Sequence, residues 1–214
     1  MSDSALDGPI YEGVYGPYRI ERNDELEVLG YRLALTAVGL GQLGLLVQLN
    51  TLGASTLWPW LLLMAAGLGL ALRWIHIYLK PLHQALQLFW LLGCLGWLAL
   101  AWQAGPNGML PALAEQRWWV LAIGPFFAAL AGIGFKEFFC FRRLEAIGIT
   151  LLLPVALLGY WLGLMGSAFC LELLAIETGL LLVLCLRKFP MPAAADVGDK
   201  SVFEHLKAQQ QGGV

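Results

Sequence analysis

The sequence predicts an all-α polytopic membrane protein with six transmembrane helices and both termini on the cytoplasmic side. Three observations carry this expectation: a composition too apolar for water, six apolar runs of spanning length, and a one-sided distribution of Lys and Arg. Of 214 residues, 59% are hydrophobic and only 13% charged, against about 25% charged in a soluble domain. A soluble domain of this size hides only about 70% of its unfolded surface. Lipid is therefore the solvent that the excess apolar surface requires. The net charge of -2 gives no sign of nucleic-acid binding.

The runs cover residues 31–49, 58–77, 82–102, 118–135, 146–165 and 168–186. Each qualifies or nearly does for the roughly 20 residues a spanning helix needs. They are continuous and not alternating, so helices are expected and not barrel strands. The turn cluster Asn50-Thr51-Leu52-Gly53-Ala54-Ser55 separates the first pair. Gly105-Pro106-Asn107-Gly108 opens the longest internal loop. Met165-Gly166-Ser167 is expected to divide the stretch 146–186, which is too long for one span. Pro154 is expected to kink the fifth helix.

With the N-terminus inside, the inner segments hold twelve of the 13 Lys and Arg residues and the outer ones only Arg117. This segregation sets the orientation. Trp58, Trp60, Trp102, Trp118, Trp119 and Trp161 fall at expected outer helix ends, where amphipathic rings favour the headgroup level.

Residues 1–30 read as an acidic cytoplasmic tail, carrying seven of the 15 acids. Its Tyr11, Tyr15, Gly16, Pro17 and Tyr18 suggest partial order against the membrane face. Residues 31–186 form the transmembrane domain, and 187–214 a cytoplasmic tail with a short helix near 202–210. Ser201 and Glu204 fit a capping box for that helix, and the final Gln and Gly residues are expected to be disordered. No basic segment precedes an initial apolar stretch, so no cleaved signal peptide is expected. The four cysteines make no C-x-x-C pair, and no disulfide or metal site is read.

Glu172 and Glu177 are the leading site candidates, because a charge in mid-bilayer costs roughly 3 kcal/mol or more. Proton coupling, cation binding or a cofactor contact is one reading. The other is a protonated carboxyl bonded to Gln42, Gln48 or Asn50 of the first helix. Five residues apart, the two acids do not share a face. Glu172 shares its face with Ala175 and Gly179, which suggests close packing against a neighbour.

The segment 135–145 mixes aromatics with Lys136, Glu137, Arg142, Arg143 and Glu145. It reads as an interfacial loop or as a docking surface for a partner or a cofactor headgroup. His76 and His83 are minor candidates for a haem or pigment contact; otherwise they are solvated interfacial histidines. Gly39-Leu40-Gly41-Gln42-Leu43-Gly44 matches a dinucleotide fingerprint only formally, since no strand precedes it. It reads as a packing seam, as do Gly124-x-x-x-Ala128-x-x-x-Gly132 and Gly159-x-x-x-Gly163-x-x-x-Ser167. No catalytic signature is present, so no enzyme is expected.

Two segments, Gly134-Phe135-Lys136-Glu137 through Cys140-Phe141 to Glu145, and Asp196-Val197-Gly198-Asp199-Lys200-Ser201-Val202-Phe203, together with the six spans resemble a family of uncharacterised integral membrane proteins found mainly in cyanobacteria. The resemblance implies a thylakoid or plasma membrane setting beside photosynthetic or respiratory complexes. It implies no activity and no catalytic residues. Two functions are therefore carried forward: a non-enzymatic accessory or assembly subunit of a larger membrane complex, and a small proton- or cation-coupled transporter using Glu172 and Glu177.

Overall fold

The computed structural model describes residues 9–212, apart from the side chains of 204, 207 and 209–212. Residues 1–8 of the expected 1–30 tail and the Glu204 half of the expected capping box lie outside it. The chain runs β1 (Ile10–Gly13), β2 (Gly16–Arg19), α1 (Arg22–Thr51), α2 (Trp58–Trp74), α3 (Lys80–Ala104), α4 (Met109–Glu115), α5 (Trp119–Phe141), α6 (Leu144–Trp161), α7 (Ser167–Lys188), α8 (Ala193–Val197) and α9 (Lys200–Gly212). Each of the six apolar runs falls on one helix. Five of them, α1, α3, α5, α6 and α7, are long and apolar enough to cross a membrane. The sixth, α2, is a shorter apolar helix of 17 residues, at the lower edge of the spanning range of about 17–25. It stops at Trp74 and not at Ile77 because α3 begins early, with Pro81 in its first turn. That is a favoured place for a residue with no N–H to donate.

Consecutive members of the six pack side by side, and α1 and α7 close the ring. Helix α1 starts, and α7 ends, at one end of the bundle, called here the terminal end. Phe126, Leu130 and Ile133 of α5 are fully buried against Leu35 and Val38 of α1 and Leu68 of α2 in one core cluster. Leu62, Leu91, Leu95, Leu98, Leu151 and Leu158 point outwards and are exposed, which suits a lipid surround.

Glycines set the closest approaches. On α1, a Cβ at Gly39 would lie 2.9 Å from Leu182 of α7, and one at Gly41 would lie 2.8 Å from Met64 of α2. The formal dinucleotide motif is thus a seam facing two helices. Gly132 packs against Leu86 of α3, but nothing lies within 4 Å of a Cβ at Gly124. Only part of that expected seam is used. Gly163 instead ends α6 at φ 75°, and Leu164 and Met165 both donate to the Gly159 carbonyl. This tight turn divides the stretch 146–186 into two helices. Pro154 lies inside α6, which continues to Trp161.

The N-terminal tail departs from the all-α expectation. Strands β1 and β2 form an antiparallel hairpin with Tyr11 opposite Tyr18, their rings stacked at 5.5 Å. An isolated two-stranded hairpin is marginal in water, and here the distant C-terminal tail holds it. The Asp199 carboxylate accepts from the Val14 N–H at 2.8 Å, and Ser201 Oγ from the Tyr15 N–H at 3.1 Å. Gly13 leaves room for both groups, since a Cβ there would fall 2.3 Å from Ser201 Oγ. Helix α9 starts at Lys200, two residues earlier than expected. The Asp199 carboxylate, and not Ser201, takes the capping position, accepting from the Ser201 N–H at 3.0 Å. A capping box does occur, but at Glu21 and Asp24 of α1. Lys200 then reaches back to Asp24 at 3.0 Å and Glu21 at 3.2 Å.

This clasp carries a prediction. The Ser201 hydroxyl and the Val14 N–H hold the Asp199 carboxyl below its ordinary value of 3.8. A lowered pKa means that the contact is present above the ordinary value and is lost as pH falls through the lower folded one. Asp199→Ala at neutral pH is expected to raise hydrogen exchange at the Val14 and Tyr15 amides by about tenfold or more, with helix amides unchanged. Unchanged exchange at both amides would show that the hairpin stands without the clasp.

Candidate functional site

Polar groups inside an apolar bundle must find partners, and the chain places them in two layers. At the terminal end, α1 brings Tyr31 and Arg32, α5 brings Lys136 and Glu137, α7 brings Lys188 and α8 brings Asp196. All six are buried, with Glu137 at 0% and Lys188 at 1% exposure. Arg32 donates twice to Asp196, from Nε at 2.9 Å and from a guanidinium NH2 at 2.7 Å. Lys188 lies between two carboxylates, donating to Glu137 at 2.7 Å and to Asp196. The Tyr31 hydroxyl donates to the other Glu137 oxygen at 2.7 Å, and Lys136 pairs with that oxygen at 3.3 Å.

Three cations thus face two carboxylates, and aromatic faces take up the surplus charge. Lys188 Nζ sits 4.7 Å from the Phe141 ring centre, and Lys136 Nζ sits 5.0 Å from the same ring. Burial alone would raise the Asp196 pKa, but Lys188 and Arg32 outweigh it and hold the carboxyl below its ordinary range. Both oxygens of each carboxylate are engaged. The cluster works as a clamp between three long helices and the C-terminal tail, with no open ligating position.

The docking candidates are therefore scattered. The expected loop 135–145 is helix up to Phe141, with a two-residue turn at Arg142-Arg143. Lys136 and Glu137 lie inside α5 and face the core, so neither offers an exposed surface. Glu145 is buried at the start of α6 and pairs with Arg187 at 3.0 Å. Arg143 contacts Met191 Sδ. Arg142 is exposed at a left-handed φ of 52°.

The second layer lies deeper, between α1 and α7. Glu177 is 0% exposed, and Gln42 Nε2 donates to one of its oxygens. The second oxygen of Glu177 and Oε1 of Gln42 are both buried without a hydrogen-bond partner. Glu172 stands elsewhere. It is exposed on the opposite side of α7 and has no ion pair or hydrogen bond among the described residues. The two acids do not share a path. Gln48 closes the α1–α2 turn, accepting from Trp60 Nε1 at 2.6 Å and donating to the Ser55 carbonyl. Asn50 donates to the Leu46 carbonyl of its own helix.

Both histidines meet groups of this chain. The His83 ring nitrogen meets the Leu72 carbonyl at 2.6 Å, so it carries the proton and caps α2. His76 is 3.5 Å from Glu27 and edges against Phe203. Its burial holds the imidazole below the usual value. Among the described residues no three His, Cys, Asp or Glu side chains group as metal ligands.

The sequence reading missed Tyr31, Arg32, Lys188 and Asp196. In the sequence Arg32 and Lys188 stand out only as charges that set the topology. The available signal was their position at the edges of apolar runs, where a charge must either reach headgroups or find a partner.

A model of the family described as "Uncharacterized integral membrane protein (DUF2301)" matches residues 70–205. That stretch contains both segments that carried the resemblance, and Glu137 of one and Asp196 of the other meet at Lys188. An uncharacterized protein of Haemophilus influenzae is 29% identical over 132 residues, which is 61% of this chain and 66% of the relative. A relative thus exists outside the cyanobacteria. No solved structure matches.

Proposed function

This chain belongs to the family of uncharacterized integral membrane proteins (DUF2301), and from that premise we propose that it is a non-enzymatic subunit docking through the bare face of α7. The observation that carries this reading is Glu172. Its carboxyl points out of the bundle, five residues into α7 and thus about 7 Å along it, with nothing among the described residues to pair with. A charge facing hydrocarbon costs roughly 3 kcal/mol. A Lys, Arg or hydrogen-bond donor on a neighbouring protein's helix relieves that cost.

The surrounding face suits such a helix. Ala175, Ile176 and Gly179 are exposed, and a Cβ at Gly179 would meet nothing within 4 Å. Small residues of this kind let a second helix approach closely. In this reading all six apolar helices cross the membrane, both termini are cytoplasmic, and Glu172 lies in the outer half. The reading places the chain beside a photosynthetic or respiratory complex, in the thylakoid or plasma membrane. The coupled transporter is the weaker reading, because Glu172 and Glu177 point apart.

Tagged full-length protein extracted from its own membranes in mild detergent is expected to carry a companion membrane protein. Glu172→Gln and Gly179→Leu should each reduce the recovered companion about tenfold, which is about 1.4 kcal/mol, while the chain's own melting is unchanged. A wild-type chain that elutes alone from mild detergent would overturn the reading.

A further inference from the structure

A cavity of about 260 Å³ lies next to Gln42, between α1, α2, α3, α4, α5, α6 and α7. Its wall is almost wholly apolar, built largely from Leu45, Met64, Trp97, Leu113, Phe127 and Leu174. Ser167 and Leu171 are exposed members of that wall, so the cavity opens beside the first turns of α7. Gln42 stands in the wall at 4% exposure, its Oε1 buried and unpartnered. Its other polar group, Nε2, is already committed to Glu177.

An apolar space with one unsatisfied acceptor specifies its occupant. Apolar walls exclude ions and water-soluble molecules. A buried acceptor left without a donor costs free energy that an incoming O–H or N–H recovers. An apolar cavity of about 150 Å³ holds benzene, so this one, at about 260 Å³, holds about ten heavy atoms. We infer that the cavity binds a lipophilic molecule of that size with a single hydroxyl or N–H, which donates to Gln42 Oε1. The site rests on Gln42 and the apolar wall and not on the docking reading, although Leu171 at the cavity mouth lies one turn from Ala175 of the docking face.

The test uses the full-length chain in phosphatidylcholine nanodiscs. The probe is a ten-carbon primary alcohol carrying a photoreactive diazirine. Labelled peptides are expected from α4 and from the first half of α7. Unlabelled 1-decanol is expected to compete about tenfold better than decane at equal membrane concentration, the ratio one hydrogen bond supplies. Ala114 is another exposed member of the wall, and Ala114→Trp, which sets an indole across that rim, should abolish the labelling. The double variant Gln42→Leu/Glu177→Leu should keep the labelling and erase the preference for decanol over decane. The competition needs only the wild-type chain, so it stands even where a variant fails to fold. Equal competition by decane would show that the Gln42–Glu177 pair satisfies itself and would overturn the inference. So would labelling unaffected by Ala114→Trp in a folded chain.

Discussion

Replacing Glu137 by alanine is expected to destabilise the folded chain by about 3–5 kcal/mol, the usual cost of removing one partner from a buried ion pair. Glu137 accepts from Lys188 at 2.7 Å and from Tyr31 at 2.7 Å, and pairs with Lys136 at 3.3 Å. Its loss leaves three buried cations facing Asp196 alone and a buried phenol without an acceptor. The cations cannot reach water without pulling α1 away from α5 and α7.

A double variant, Glu137→Met/Lys188→Met, removes one acid and one base together. The surplus of one cation is then the same as in the native cluster. An ion pair replaced by apolar groups of similar volume is often neutral, so the double variant is expected to recover most of the loss. Unfolding in mixed micelles by SDS titration, monitored by tryptophan fluorescence, measures both. A single variant as stable as the native chain would show that the cluster is not a clamp. A double variant no better than the single would show that Glu137 acts by packing and not by charge.

The second large effect is expected at Gly93 and Gly96 of α3. A Cβ at Gly93 would fall 2.2 Å from the Phe126 nitrogen, and one at Gly96 would fall 2.1 Å from the Ala122 carbonyl oxygen. Both obstacles are backbone of α5, which cannot swing aside as a flexible side chain can. Each Gly→Ala change must push α3 bodily off α5, and overpacking of this kind costs about 3 kcal/mol. Gly124→Ala is the control. It has open space around it, so alanine's better helix propensity makes the change neutral or favourable. The same titration reads all three variants. Equal stabilities across them would mean that α3 and α5 pack with slack.

These glycines show how far the sequence could be read. Gly124-x-x-x-Ala128-x-x-x-Gly132 has the spacing of a helix seam, yet only its end at Gly132 is used. Gly93 and Gly96, three apart, make the tighter contact. Spacing shows that a small-residue stripe exists, but not which way the helix is turned. Glu177 and Gln42 were read as candidates, and one of the weighed readings paired an acid with Gln42. Their buried contact matches that reading in its partners. Glu172 and Glu177 were read as lying on different faces, but which face meets the bundle was not legible. The charges around Lys136 and Glu137 suggest a loop in the sequence, whereas both residues are helical and buried.

By itself the sequence determined the solvent, the places where helices form, and the breaks between them. These depend on local properties: the transfer free energy of each side chain, the length of each apolar run, and the backbone preferences of Gly and Pro. Tertiary structure alone decided which polar groups meet. Arg32 finds Asp196 across 164 residues, and Val14 finds Asp199 across 185. In both cases the partner is chosen by how the helices are rotated and docked. In an apolar bundle that choice is set by the fit of glycines against neighbouring backbone, and by the cost of leaving any buried charge alone.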